Sequence, residues 1–134
     1  MNKKEYVLYG LDNHKKVIDD IITTLDTPND DFDVRLILTE ALTNAFKHGN
    51  DNRVDKPIYI RTTYDEKSVN FEIEDCGRGF FNKPVVEEIL EENVLDSYGR
   101  GLFLIKAISD KLELRKNVLI IQKNINKLEP VFSI

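Results

Sequence analysis

The sequence predicts an α+β fold, a mixed but mostly antiparallel sheet with its helices on one face. Three patterns lead there. "PIYIRTTY" and "SVNFEIED" alternate apolar and polar residues across the short turn "YDEKS", as a β-hairpin does. "KLELRK" and "NVLIIQKNI" form a second such pair at the end of the chain. Two helical stripes stand together ahead of the first hairpin, and helices grouped between hairpin pairs build a helix layer on a sheet.

The elements follow in order. "YVLYG" reads as a short strand stopped by Gly10. "LDNHKKVIDDIITTLD" reads as a helix with Asp12 or Asn13 as its cap and Val17, Ile18, Ile21, Ile22 and Leu25 as one apolar stripe. His14 falls on that stripe, as a packed or capping histidine. "DTPNDDF" is a loop whose acids favour the start of the next helix. That helix runs through "DVRLILTEALTNAFKHGN", with Val34, Ile37, Leu38, Ala41, Leu42 and Ala45 at helical spacing and Gly49 as its C-cap. After the first hairpin, "NKPVVEEILEENVLDSY" suggests a helical turn or two inside a longer loop, with its acids at the unfavourable end. "GLFLIKAISD" is nearly all apolar and is expected to be a mostly buried helix.

Composition narrows the function. The 134 residues argue for one domain, and 41% hydrophobic residues supply a core. A net charge of −5 with interspersed signs offers no basic patch for direct nucleic-acid binding. One cysteine excludes an intrachain disulfide and a Cys-rich zinc site, and it fits a reducing compartment. No apolar run approaches the ~18 residues of a membrane span, and the N-terminus lacks the apolar core of a secretory signal. A soluble cytoplasmic protein is the expectation.

Three stretches carry chemistry. In "TEALTNAFKHG", Glu40 and Asn44 are one helical turn apart, beside the apolar stripe. A carboxylate there can act as a general base and an amide oxygen can ligate Mg²⁺. The same residues also suit the solvated boundary of an ordinary amphipathic helix. In "EDCGRGF", a strand ends in Asp75 and is followed by Gly77 and Gly79, either a plain turn or a wall that admits a ligand bearing an amino group. In "YGRGLFLIKAISD", Gly99 and Gly101 precede a helix whose N-terminus can hold phosphate. It is neither a Rossmann fingerprint, since no third glycine or βαβ unit follows, nor a P-loop, since no Gly-Lys-Ser/Thr follows.

In this order the three stretches resemble the boxes of the Bergerat-fold (GHKL) ATP-binding domains, a superfamily that includes histidine kinases, gyrase-type topoisomerases and mismatch-repair ATPases. The resemblance covers roughly residues 5 to 125. Within the superfamily the chain looks most like the anti-sigma-factor serine-kinase branch, because of its size, the form "EALTNAFKHG" and "GRGLFLI" after a short lid. Histidine kinases typically have Asn where this chain has Glu40, and they carry a dimerisation domain.

The resemblance implies a two-layer α/β sandwich that uses ATP and Mg²⁺. It makes Glu40 the base that takes a proton from a protein serine, and Asn44 the Mg²⁺ ligand. Asp75 becomes the adenine acceptor, with Gly77 and Gly79 shaping that wall. Gly99, Arg100, Gly101 and the helix start at Leu102 would hold the phosphates, and residues 82–98 would be the ATP lid. His48 either lines the phosphate side or packs. Lys15 is the candidate for contact with a partner protein. Asn117 alone remains of a Gly-Thr or Gly-Asn pair before the last strand, which puts a ligand contact there in doubt. Cys76 is expected to be a small buried residue.

The implied function is an ATP-dependent serine kinase that binds a sigma factor and phosphorylates an anti-anti-sigma protein, commonly as a homodimer. The alternatives are a nucleotide-gated binding module without turnover and an α+β scaffold whose glycines are only turns.

Overall fold

A computed structural model describes residues 1–77 and 97–126. Five strands form one sheet: β1 (Asn2–Tyr9), β2 (Pro57–Tyr64), β3 (Ser68–Glu74), β4 (Lys111–Arg115) and β5 (Val118–Asn124). The spatial order is β1-β2-β3-β5-β4, and every neighbouring pair is antiparallel. The helices are α1 (His14–Leu25), α2 (Asp31–Asn44) and α3 (Ser97–Ile108). A 3₁₀ turn, Pro28–Asp30, leads into α2, and a π turn, Ala45–Gly49, extends it. This is the α+β arrangement that the hairpin pairs predict.

Register puts the apolar residues on one face. Tyr6, Ile60, Ile73, Leu119 and Leu114 face one another in a row across the sheet, and beside them run Lys4, Thr62, Phe71, Ile121 and Leu112. Phe71, Ile58, Ile60 and Ile73 are buried in one core with Ile37, Leu38, Ala41 and Leu42 of α2, Ile18 and Ile21 of α1, and Leu102 and Ile105 of α3. The stripe read for α2 is the stripe that is buried, and α2 contacts both α1 and α3. Among the described residues the opposite sheet face carries no helix. There Arg61 bridges Glu72 (3.2 Å) and Glu74 (2.8 Å), and Val7, Tyr9 and Tyr59 lie exposed.

Several local readings change. β1 begins earlier than "YVLYG", because the charged residues before it pair along the whole of β2. Gly10 does end it, at φ 71°. α1 has no side-chain cap from Asn13, and His14 contacts the Leu11 carbonyl through Nδ1, tying the loop before the helix rather than capping a helix N–H. α3 starts at Ser97, so Gly99 and Gly101 lie inside its first turns rather than ahead of them. Nor is α3 mostly buried: Phe103 is 51% and Leu104 38% exposed, since a helix against one sheet face buries only one side. The expected lid falls outside the described residues except for Ser97 and Tyr98, the first residues of α3. No helix among the described residues is long and apolar enough to cross a membrane.

Candidate functional site

α2, the π turn, the end of β3, the β4–β5 turn and α3 bring the sequence-predicted residues together. α2 supplies Glu40, half-buried, and Asn44, which is buried. The i, i+4 spacing places them one turn apart on the side that meets α3. Gly101 sits directly against both. A Cβ added at Gly101 would lie 2.8 Å from Asn44 Nδ2 and 3.1 Å from Glu40 Oε2. Its place within α3 gives this glycine a different reason from the one read in the sequence: it leaves room for the two polar groups. The first turn of α3, where the positive end of the helix dipole sits, is Ser97–Arg100. Gly99 and Leu102 are buried, and Arg100 is exposed.

The π turn redirects the chain after Asn44. The Asn50 N–H bonds to the Ala45 carbonyl at 2.8 Å, five residues back, so the regular helical count ends there. His48 consequently lies exposed instead of packing on the stripe, as does Lys47. Gly49 is not a left-handed cap; positive φ falls instead on Asp51 and Asn52. What Gly49 provides is space, because a Cβ there would stand 2.0 Å from Asp75 Oδ2.

Asp75 follows the last residue of β3. Its Oδ1 accepts from the Gly77 N–H at 2.8 Å, a local bond that turns the chain. Gly77 in turn packs against Gly49, and a Cβ on it would meet the Gly49 carbonyl oxygen at 2.5 Å. Burial pushes the Asp75 carboxyl above the usual aspartate range; the Gly77 N–H opposes this and Glu74 adds to it. Asp75 is thus a half-buried acceptor between two glycines, at the same end of the sheet as Gly101. Gly79 lies outside the described residues.

Two asparagines complete the corner. Buried Asn50 accepts from the Cys76 N–H at 2.7 Å and donates to the carbonyls of Lys56 and Pro57. Asn117 donates its side-chain amide to the Asp75 carbonyl, while its own carbonyl accepts the Asp75 N–H at 3.1 Å. Asn117 therefore holds the corner. Sequence reading missed Asn50 altogether, because "HGNDNR" looks like any polar loop. Cys76 is exposed rather than buried, its thiol 3.4 Å from the Pro57 carbonyl oxygen, since the corner turns the side chain outward. Lys15 lies exposed on α1, and Asp19 of α1 pairs with Arg35 of α2 at 2.8 Å.

The site suits a polar ligand. Asn44 Nδ2 is buried with no hydrogen-bond partner among the described residues, a costly state unless something else satisfies it. Three glycines keep Cβ atoms away from Glu40, Asn44 and Asp75. Among the described residues no cluster of three or more His, Cys, Asp or Glu is arranged to hold a metal by itself.

The sequence pattern of the histidine kinase-like ATPase domain matches residues 14–123, from the first residue of α1 into β5. The chain belongs to the histidine kinase-like ATPase domain family. Within this ATPase family it is similar to the anti-sigma F factors of Bacillus thuringiensis (strain Al Hakam), Bacillus mycoides (strain KBAB4) and Bacillus cereus (strain AH187). Each is 28% identical over 87 residues, 63% of this chain and 60% of the relative. The matched stretch thus spans less than two thirds of those relatives. Membership of an ATPase family makes a nucleotide the ligand class that fits the orphaned amide and the glycine-lined acceptor.

Proposed function

We propose that this chain is an ATP-dependent anti-sigma factor and serine-protein kinase, which binds a sigma factor and phosphorylates a serine of an anti-anti-sigma protein. The observation that carries this reading is the placement of the Glu40 carboxylate and the orphaned Asn44 amide together under Gly101. A carboxylate one helical turn from the assigned metal ligand supports a general base, and so transfer as well as binding. Similarity to anti-sigma F factors supports the sigma-factor partner.

ATP with Mg²⁺ supplies the transferable phosphoryl group and the charge that stabilises its passage. Asn44 would hold Mg²⁺ through its side-chain oxygen. Gly99 and Arg100, in the first turn of α3, would present the helix start to the phosphates, while Gly101 makes room beside Glu40 and Asn44 and Leu102 anchors the helix in the core. His48, exposed after α2, would line the phosphate side. Asp75, against Gly49 and Gly77, would accept from the adenine amino group, and Gly79 is the further glycine assigned to that wall. Glu40 accepts the proton of the attacking serine hydroxyl as its oxygen bonds to phosphorus and the bond to the leaving diphosphate breaks. Residues 82–98 act as the lid. Lys15 on α1 meets the partner protein.

The exposed patch of Val7, Tyr9 and Tyr59, on the sheet face that carries no helix among the described residues, supports homodimerisation, since a second copy would cover it. Phosphoryl transfer from labelled ATP to the purified cognate anti-anti-sigma protein tests the kinase. Glu40→Ala is expected to lower transfer by at least 100-fold with little change in ATP affinity. Equal transfer by the two proteins would remove Glu40 as the base.

A further inference from the structure

We propose that Asn50 is a positioning residue for base recognition, fixing the Asp75–Cys76 peptide so that the Asp75 carboxylate is aimed at a purine amino group. The proposal rests on reading Asp75 as the base acceptor. Asn50 is fully buried, at 0% exposure, immediately after the glycine that touches Asp75. Its main chain is anchored, with its N–H on the Ala45 carbonyl and its carbonyl taking the Arg53 N–H at 3.0 Å. Its side chain joins three segments. Nδ2 donates to Lys56 (3.1 Å) and Pro57 (3.2 Å) at the start of β2, and Oδ1 takes the Cys76 N–H beyond the end of β3.

The geometry matters because of how Asp75 is held. Its carboxylate has one local bond, from Gly77, so its direction follows the backbone at residues 75 and 76. Both ends of the peptide between them are tied: the Asp75 carbonyl to the Asn117 side chain and the Cys76 N–H to Asn50. Asn117 sits in the turn between β4 and β5, next to β3, so it secures the corner to the sheet. Asn50 hydrogen-bonds it to the turn that continues from Asn44, beside the packing of Gly49 on Asp75 and Gly77. This side chain thereby helps fix the separation of the base acceptor from α2. Truncation to alanine would leave the Cys76 N–H without its acceptor and let that peptide swing.

The test compares binding of ATP and inosine triphosphate, which carries an oxo group where adenine has its amino group. Calorimetry is run on the wild type, Asp75→Ala and Asn50→Ala. The wild type is expected to prefer ATP by about tenfold or more, as a hydrogen bond to a charged acceptor allows. Asp75→Ala abolishes the preference. Asn50→Ala reduces it by about fivefold or more while binding of inosine triphosphate changes little. A full ATP preference in Asn50→Ala, however far its melting temperature falls, makes Asn50 a structural residue only and overturns the proposal. Absence of any preference in the wild type sinks the base-acceptor reading itself, and the Asn50 role with it.

If Asn50→Ala does not fold, ¹⁵N spectra of the wild type decide. The Cys76 amide and the Asn50 side-chain amide are expected to resonate differently with ATP and with inosine triphosphate. Identical positions in the two complexes overturn the coupling.

Discussion

Replacing Gly49 by alanine drives a methyl carbon into Asp75. The new Cβ would lie 2.0 Å from Oδ2, 2.2 Å from Cγ and 2.8 Å from Cβ of that residue. Ordinary contact begins near 3.4 Å, so the carboxylate must retreat by about 1.4 Å. It cannot do so by a simple rotation, because its own Cβ is already too close and Oδ1 is bonded to Gly77. Overpacking of this kind costs about 1–3 kcal/mol. Alanine offsets roughly 0.5–1 kcal/mol of that in helical backbone. A net loss of about 0–2.5 kcal/mol lowers the melting temperature by up to roughly 10 °C in a chain of this size. The functional loss is larger in proportion, since a displacement near 1 Å can cost about 100-fold at a preorganised site. Calorimetric titration with Mg-ATP, beside a thermal melt, is therefore expected to show affinity down by at least tenfold in a protein that is still folded. A folded Gly49→Ala that binds ATP within twofold of the wild type would refute the placement of Asp75 in the nucleotide site.

Gly101→Ala separates stability from binding in the other sense. The nearest atoms to its Cβ are the ends of the Asn44 and Glu40 side chains, and alanine gains about 1 kcal/mol in a helix, so the melting temperature should stay within a few degrees while ATP affinity drops by at least tenfold. Asp75→Asn should raise the melting temperature of the ligand-free protein at pH 7. Burial holds the folded-state pKa of Asp75 above its unfolded value, so the ionised carboxylate opposes folding; this loss sets in as pH rises from the ordinary aspartate range through the raised pKa. The gain should vanish below the ordinary aspartate range, where both states of the wild type are protonated, and a pH series of melts reads it. The proposed homodimer predicts that wild type sediments as a dimer and Tyr59→Asp, exposed on the sheet face that carries no helix among the described residues, as a monomer with unchanged ATP affinity.

Much of this was legible in the chain. Period-2 alternation identified both hairpins because their inward residues share one buried face, and the α2 stripe from Val34 to Ala45 is buried as read. Past Ala45 the helical count breaks, because a π turn adds a residue that no hydrophobic period announces; Gly49 is then no C-cap, and of the two readings of His48 the packed one drops out. Cys76 was misplaced for a related reason: which way a side chain leaves a corner depends on the contacts that hold the corner.

By itself the sequence determined the α+β class, the buried faces and the order of the three chemical stretches, since each follows from local spacing. Only tertiary structure decided that Gly101 lies on Glu40 and Asn44, that Gly49 lies on Asp75, and that Asn50 and Asn117 hold the peptide after Asp75. Those are contacts between segments far apart in the chain, formed when the helices settle on one face of the sheet. A glycine or an asparagine looks the same in sequence whether it makes a turn or such a contact.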